Sequence, residues 1–421
     1  MSGPALSATD REVLDGAAGE GAALAMRIVV RLARAMGAPR LLDVSAAHID
    51  GCLYLGRATL DLVRRLTEGA ATVRVPTTLN VGSLDLLHPD LYRGDAETRE
   101  LARELMDRYV ALGCQPTWTC APYQLPRRPG LGDQIAWAES NAIAFANSVL
   151  GARTNRYGDF IDIAAAITGR VPDAGLHTDA GRRATLVLRV EGVGDAALRD
   201  PLVGAALGIV LGETAGTRIA AITGLPGDLP EDTLKAIAAA AASSGSVALF
   251  HVVGRTPEAP SLDAVAAGPN LPEVVVDATR LRAARRTLST TRGDRLAAVS
   301  VGTPHFSLAE FAELVPLLPE RPFAVPFYVS TGRDVLARVR EAGWEPALAA
   351  AGITVVTDTC TYVTPILREP VEGAVMTNSG KWAWYAPANL GVEVAFGSLA
   401  ECVASAAAGL VVRDEGGWLG G

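Results

Sequence analysis

Lysine is nearly absent from this sequence. Of its 38 lysines and arginines only two, Lys235 and Lys381, are lysine. The preference for arginine, with the abundance of alanine, reads as codon bias, so a surviving lysine is more informative than usual. A basic surplus is missing too: the formal net charge is −8. That argues against a general nucleic-acid binder, because neutralising phosphates needs a basic surface. Paired cysteines are also missing. Cys52, Cys114, Cys120, Cys360 and Cys402 are odd in number and contain no CxxC, so no disulfide framework is expected. Long apolar runs are missing as well. "LVGAALGIVL" (202–211) is too short to cross a bilayer, and "LKAIAAAAASSGSVALFHVV" (234–253) is broken by "SSGS". The polar, acidic N-terminus lacks the apolar segment of a secretory signal. No GxGxxG or GxxxxGK[ST] stands at a strand–helix junction, which removes the usual phosphate cradle. These absences point to a cytoplasmic protein with no membrane and no nucleic acid among its partners.

What is present suits sizeable cores. Hydrophobic residues make up 49% and charged residues 20% of 421 residues, enough for two or three domains of roughly 100–200 residues each. A helix is expected over residues 10–35, a strand at 40–45, a strand and turn over 72–85, and an amphipathic helix over 96–112 stopped by Gly113. The Pro- and Gly-rich stretch 115–133 reads as loop, followed by a helix from about Gln134 to Leu150. Beyond it strands and helices alternate. "AAITGLPGDLPEDTL" beside "AAVSVGTPHFSLAEF" forms a weak βαβ-type repeat. Such alternation predicts an α/β fold with largely parallel sheets. The expected divisions are 1–200, 201–292 and 293–421. In such sheets ligands gather beyond the C-terminal ends of strands. That rule selects the loops "TLNVGSLD", "GTPHFS", "TDTCTY" and "TNSGKW".

Cys120 lies in a Pro-rich loop (TCAPY), Cys360 ends a strand (DTCTY), and Cys402 starts a short Ala-rich helix (FGSLAECV), where a thiolate is electrostatically favoured. Three thiolates far apart in sequence can hold three irons of a cubane and leave the fourth open to substrate, although any three cysteines satisfy so loose a spacing. Cys114 reads as core. Cys52, in "HIDGCLYLG", reads either as core or as lining a pocket beside His48 and Asp50.

The segments "TCAPY…IAWAESNAIAFANSVLGARTNRYGDF", "VSVGTPHFSLAEF", "DTCTYVTP", "MTNSGKWAWYAP" and "GVEVAFGSLAECV" occur in order and resemble the large subunit of aconitase X, a branch of the aconitase superfamily. The resemblance runs from about residue 18 to about residue 413. It implies three α/β domains around a central cleft with an iron–sulfur cluster, [4Fe-4S] or [2Fe-2S]. It also implies a swivel domain, absent here and expected as a separate small subunit that carries a serine base. By motif the cluster ligands fall on Cys120, Cys360 and Cys402. The expected activity is that of a hydro-lyase on a small hydroxy acid, cis-3-hydroxy-L-proline going to Δ1-pyrroline-2-carboxylate. Dehydration of mevalonate 5-phosphate and a non-catalytic subunit that kept the fold are the alternatives.

Removing water across Cα–Cβ needs a base for the α-proton and an acid or Lewis acid for the hydroxyl. Arg153, Arg156 or Lys381 can receive the carboxylate. Asn80, Ser148, Thr154 and Asn155 can orient other polar atoms. Thr303, His48 and Cys52 complete the expected substrate-binding set, and His305 with Lys381 the catalytic one. Lys381 is read as a flexible charge in a loop facing the cluster, beside Trp382, Trp384 and Tyr385. His48 suits a turn as well as a site, and His177 is open either way. His88 reads as surface and His251 as core. "RTNR" suits an anion or a solvated loop.

Overall fold

Small apolar side chains set at helical or strand periods decide where each element lies. The computed structural model describes residues 3–369, 371–414 and 419. Among them are fourteen strands: β1 (Leu41–Asp43), β2 (Ala47–Ile49), β3 (Thr77–Leu79), β4 (Ala136–Trp137), β5 (Arg170–Pro172), β6 (Leu186–Val190), β7 (Ala220–Thr223), β8 (Phe250–Val252), β9 (Glu273–Val276), β10 (Leu296–Phe306), β11 (Phe327–Thr331), β12 (Ile353–Val356), β13 (Ala374–Thr377) and β14 (Val394–Phe396). They form a parallel sheet in the order β3-β2-β4, a parallel sheet β8-β7-β6-β9, a parallel sheet β12-β11-β10-β13-β14, and the antiparallel pair β1–β5. The α/β class expected from alternation is the one observed.

In the first unit, the helix Glu20–Ala35 buries Ala22, Ala25, Met26, Val29, Val30 and Ala33, one stripe at helical spacing. The single helix expected over 10–35 is two, Ala8–Leu14 and Glu20–Ala35. Gly16 and Gly19 between them take φ of 93° and 91°, which a right-handed helix cannot contain. The helix expected from Gln134 starts instead at Ser140. Residues 136–137 pair in the sheet, and Glu139 sits at φ 74°, where its carboxylate accepts the Ala142 N–H at 2.8 Å as N-cap.

The apolar run 202–211 is the heart of a fully packed helix, Pro201–Ala215. Its Gly204, Gly208 and Gly212 face the helix Glu231–Gly245. A Cβ on Gly208 would come within 2.6 Å of the Ile237 carbonyl, so only glycine permits this approach. β6 belongs to this middle sheet, paired with β7 and β9. The division placed after residue 200 is therefore corrected: the middle unit already includes residues 186–190. The hydrophobic cores of the first and third units are separate clusters.

In the third sheet the β10–β11 ladder breaks. Val301 faces Val329, but the next pair is Phe306 with Thr331. Gly302, at φ 89°, starts the excursion, and Thr303, cis-Pro304 and His305 bulge out of the ladder.

Candidate metal centre

That bulge delivers His305 to two cysteines. The Cys120 and Cys360 sulfurs and a His305 ring nitrogen lie within 4.8 Å of one another, all three residues buried. The His305 backbone N–H donates to Cys120 Sγ at 3.2 Å. Its ring is held at both ends, Nδ1 by Thr119 Oγ1 at 3.0 Å and Nε2 by the Thr359 carbonyl at 3.2 Å. Gln124 Nε2 donates to the His305 carbonyl at 3.0 Å.

Cys360 follows β12 on a turn sewn to the first unit. Arg333 grips Asp358 with two hydrogen bonds of 2.6 and 2.7 Å. Asp358 in turn accepts the Leu86 N–H at 3.0 Å, and Asp85 accepts the Thr357 N–H and hydroxyl at 2.8 and 2.9 Å. Three charged side chains thus fix one thiol. The Cys120 thiol hydrogen-bonds to Cys360, which holds Cys360 well below the ordinary thiol range against burial, with His305 and Lys381 helping. Burial pushes Cys120 up. One proton serves two sulfurs, which is a thiolate-bearing pair ready for a metal.

Lys381 lies beside them. It stands in the first turn of the helix Gly380–Leu390, not in a loop, because Ser379 accepts the Trp382 N–H and starts a helix there. Its ammonium meets the Glu139 carboxylate and lies 3.4 Å from Ser140 Oγ. Burial alone would pull Lys381 down; Glu139, then Tyr362 and Cys120, hold it well above the ordinary lysine range. Glu139 also accepts from Asn141 Nδ2, which reaches the Cys120 carbonyl at 2.9 Å. Burial, then the charges of Glu139 and Asp159, push Asp50 up to about 8, while Asn80 Nδ2 donates to its Oδ1. Asp50 and Cys120 both feel Glu139 and Lys381. A carboxyl with a raised pKa, a buried cation and a thiol–thiolate pair lie within reach of one another's charges.

The other expected residues fall into place or outside it. Cys402 is the third expected ligand. It lies in the packed core of the third unit with Met376 and Ala395, on the helix Leu399–Ala408, and is absent from the Cys–His–Cys group. The carboxylate next to it, Glu401, completes that helix's capping box and binds Arg285, so the helix start is already neutralised. Ser148 accepts the Phe250 N–H at 2.9 Å and ties the first unit to the middle sheet. Thr154 is spent on Trp137 and Asn147, and Asn155 on Leu176, Ala174 and Tyr157. Arg153 pairs with Asp179 and reaches the His177 carbonyl in a different cleft. These four make framework contacts away from the Cys120–His305–Cys360 group, although Arg153 Nε is buried without a partner among the described residues. Arg156 is exposed, with no carboxylate partner among the described residues. Cys52 is enclosed, its thiol donating to the carbonyls of Ile49, Asn80 and Val81. It supports the Asn80 turn from beneath. His48 Nδ1 meets Thr78 Oγ1 at 2.8 Å, and burial drops its pKa to about 3 against an opposing backbone interaction with Thr119. Thr303 is buried with an unpartnered hydroxyl, and its carbonyl accepts from Ser379. Among the imidazoles left open, His177 is structural, bonded to Tyr157 and Gln134. His251 Nε2 meets the Arg182 carbonyl at 2.8 Å, and His88 pairs with Asp85.

Glu139 escaped the sequence reading. Nothing marks one glutamate in "AWAESN"; only its contact with Lys381, 242 positions away, does.

The chain matches the family models for the first, second and third domains of aconitase X over residues 4–180, 184–286 and 296–408. The chain belongs to the aconitase X family. A cis-3-hydroxy-L-proline dehydratase of Pseudomonas aeruginosa is 44% identical over 99% of this chain and 72% of its own length. A phosphomevalonate dehydratase large subunit of Methanothermobacter thermautotrophicus is 36% identical over 93% of this chain and 96% of its own. The crystal structure of Thermococcus kodakaraensis aconitase X in its holo-form superposes with a TM-score of 0.85 at 32% identity, covering 96% of this chain and 100% of that one. The Cys120–His305–Cys360 group of this aconitase X chain is compatible with an iron–sulfur cluster. Two soft sulfurs and an imidazole in a buried, cation-flanked setting are the donor types such a centre takes. No helix among the described residues is long and apolar enough to cross a membrane.

Proposed function

We propose that this chain is the large subunit of an iron–sulfur dehydratase whose substrate is cis-3-hydroxy-L-proline and whose product is Δ1-pyrroline-2-carboxylate. The observation that carries the reading is the Cys120–His305–Cys360 group set against the buried Lys381–Glu139 pair. The 44% identity to a protein of that activity supports the substrate.

Cys120 and Cys360 would hold the cluster, with His305 beside them as ligand or as donor to it. Held there, the cluster would supply Lewis acidity toward the substrate hydroxyl and carboxylate. The chain's own residues do the rest. Lys381, kept cationic by Glu139, offers its Nζ to the substrate carboxylate. Arg156 is a second cation free to do so. Asp50, with a pKa of about 8, carries a proton at neutral pH and can deliver it to the departing hydroxide. Asn80 fixes which carboxyl oxygen keeps that proton. The base for the α-proton would come from a small swivel-domain subunit. The match to proteins named large subunits, over 96% of one such chain, supports a partner of that kind. Five unpaired thiols fit a reducing, cytoplasmic location.

The test is an anaerobic assay of the chain co-expressed with its small partner, offering cis-3-hydroxy-L-proline and mevalonate 5-phosphate separately. Turnover of the hydroxyproline, with iron and acid-labile sulfide lost in Cys360→Ser, is expected. Turnover of mevalonate 5-phosphate alone would transfer the chain to the second substrate. Iron-free protein with neither activity would leave a binding subunit that kept the fold.

A further inference from the structure

Arginines converge at a second place, remote in sequence and contacts from the sulfur site. The helix Ala278–Thr287 ends the second domain, and the third begins at residue 296. Between that helix, the linker after it and the chain following the last helix lies a cleft of about 520 Å³. Arg282, Arg285 and Arg286 reach it from the helix, Arg292 from the linker, and Arg413 from the third domain. Five guanidinium groups thus line one concavity of a protein whose net charge is −8.

The local acids do not account for them. Glu401 takes Arg285 in two hydrogen bonds of 2.9 and 3.0 Å. Glu393 accepts from the Thr291 hydroxyl at 3.0 Å. Arg282, Arg286, Arg292 and Arg413 have no carboxylate partner among the described residues. The carbonyl end of the helix favours cations in its last turn, which explains Arg285 and Arg286. It does not explain Arg292 or Arg413, which come from outside the helix. Arg413 gives the second sign. Among the described residues its Nε is buried without an acceptor, while Nη2 reaches the Thr291 carbonyl at 3.4 Å. A buried Nε–H that finds no acceptor among the described residues points to an absent one.

We infer that this cleft binds a compact phosphorylated small molecule, gripped from both domains by Arg282, Arg286, Arg292 and Arg413. The guanidinium fork matches phosphate oxygens two at a time. The volume lies in the range of small-ligand sites and is too confined for an extended polymer. Because its walls belong to two domains, the ligand would also fasten one to the other. None of its residues takes part in the Cys120–His305–Cys360 group, so the inference stands whether or not the proposed substrate is right.

Inorganic pyrophosphate is the probe, titrated calorimetrically into the full chain at physiological salt. One saturating site with a Kd of about 1 mM or tighter is expected, together with a Tm that rises with pyrophosphate concentration. The exposed pair Arg286→Glu/Arg292→Glu should weaken binding by about tenfold or more. The milder Arg286→Gln/Arg292→Gln pair, measured alongside, reports the same loss if the charge reversals perturb folding. Lys381→Met should leave the Kd unchanged, and the arginine variants should leave dehydratase turnover unchanged. Absence of saturable binding overturns the inference. So does binding that Lys381→Met abolishes and the arginine variants do not, since the anion would then sit at the sulfur site. Tighter capture of a single-stranded oligonucleotide than of pyrophosphate by the same arginines would overturn the small-ligand assignment.

Discussion

Lys235 and Lys381 are each only 4% exposed, and each meets a glutamate, yet their neighbourhoods differ. Lys235, on the helix Glu231–Gly245, has two carboxylates: Asp232 at 2.7 Å and Glu310. Ser307 closes the arrangement, its hydroxyl donating to Asp232 at 2.8 Å and its N–H to Glu310 at 2.7 Å. Burial pushes Glu310 up to about 7 despite the cation. Every group has a partner, and the assembly clamps the second domain to the third. Lys381 has one carboxylate, and that carboxylate is shared with Asn141 and Ala142. After Glu139, the charges that raise it are the Tyr362 phenol and then the Cys120 sulfur. Equal burial therefore does not mean equal purpose. A cation with a surplus of acids is a clamp; one with a shared acid and a reactive pair beside it has capacity left for a ligand.

Substitution separates the two most sharply at Lys381. Lys381→Met should lower turnover by about 10³-fold, the scale of losing a preorganised electrostatic contact, while iron content holds. Stability should fall by about 3–5 kcal/mol because Glu139 is left as a buried unpaired charge. Lys381→Met/Glu139→Gln should recover much of that stability and none of the turnover. Turnover within tenfold of the parent would make Lys381 a second clamp.

Lys235→Met is the reciprocal experiment. Denaturant melts should show a loss of about 3–5 kcal/mol, since two acids lose their cation. Turnover per folded molecule and iron content should stay near the parent's. A turnover loss as deep as that of Lys381→Met would erase the distinction and make the clamp part of the site, acting through the Thr303–Ser307 bulge.

Much of this was legible in the chain, and the failures have physical causes. Alternating strands and helices gave away the parallel sheets; of the loops expected beyond strand ends, "DTC" does follow β12, whereas "GTPH" is a bulge inside β10. Glu139 was hidden because a left-handed φ in the middle of an apparent helix reads as helix interior from residue types alone. Lys381 was placed in a loop because "TNSG" carries turn residues, yet Ser379 used its hydroxyl as a cap and started a helix. Asp50 looked ordinary; its raised pKa comes from burial and from Glu139 and Asp159, distant in sequence. Local pattern encodes elements, while charge partners are set by tertiary approach.

Asp50 sharpens the comparison through pH, because it feels Lys381 and not Lys235. Its folded pKa of about 8 lies above the unfolded value near 3.9. Its contribution to stability is therefore complete below about pH 4 and is lost as pH rises through about 8. Asp162, pushed up to about 7 chiefly by burial, titrates in the same window, so Asp50→Asn should flatten the slope in part. Turnover should decline above about pH 8 as the donated proton disappears, and Asp50→Asn should remove that limb along with most of the rate. An unchanged alkaline limb in the variant would take the acid role away from Asp50.

The smallest effect belongs to Cys402. Its sulfur packs among Met376, Ala395 and Val403 in the third domain's core. Its pKa is raised by burial and then by Glu401, with no cation among the causes. Cys360, equally buried, is lowered because a thiol, an imidazole and Lys381 face it. In the metal-free protein a sulfur beside an acid in an apolar core keeps its proton, while one facing donors and a cation gives its proton up. Cys402→Ala should therefore cost about 1 kcal/mol of packing and leave iron content and turnover intact, measured by melts and by iron analysis of anaerobic protein. Loss of iron in that variant would mean that the helix Leu399–Ala408 brings Cys402 to the cluster when iron binds, and would support the three-sulfur arrangement that the resemblance implied.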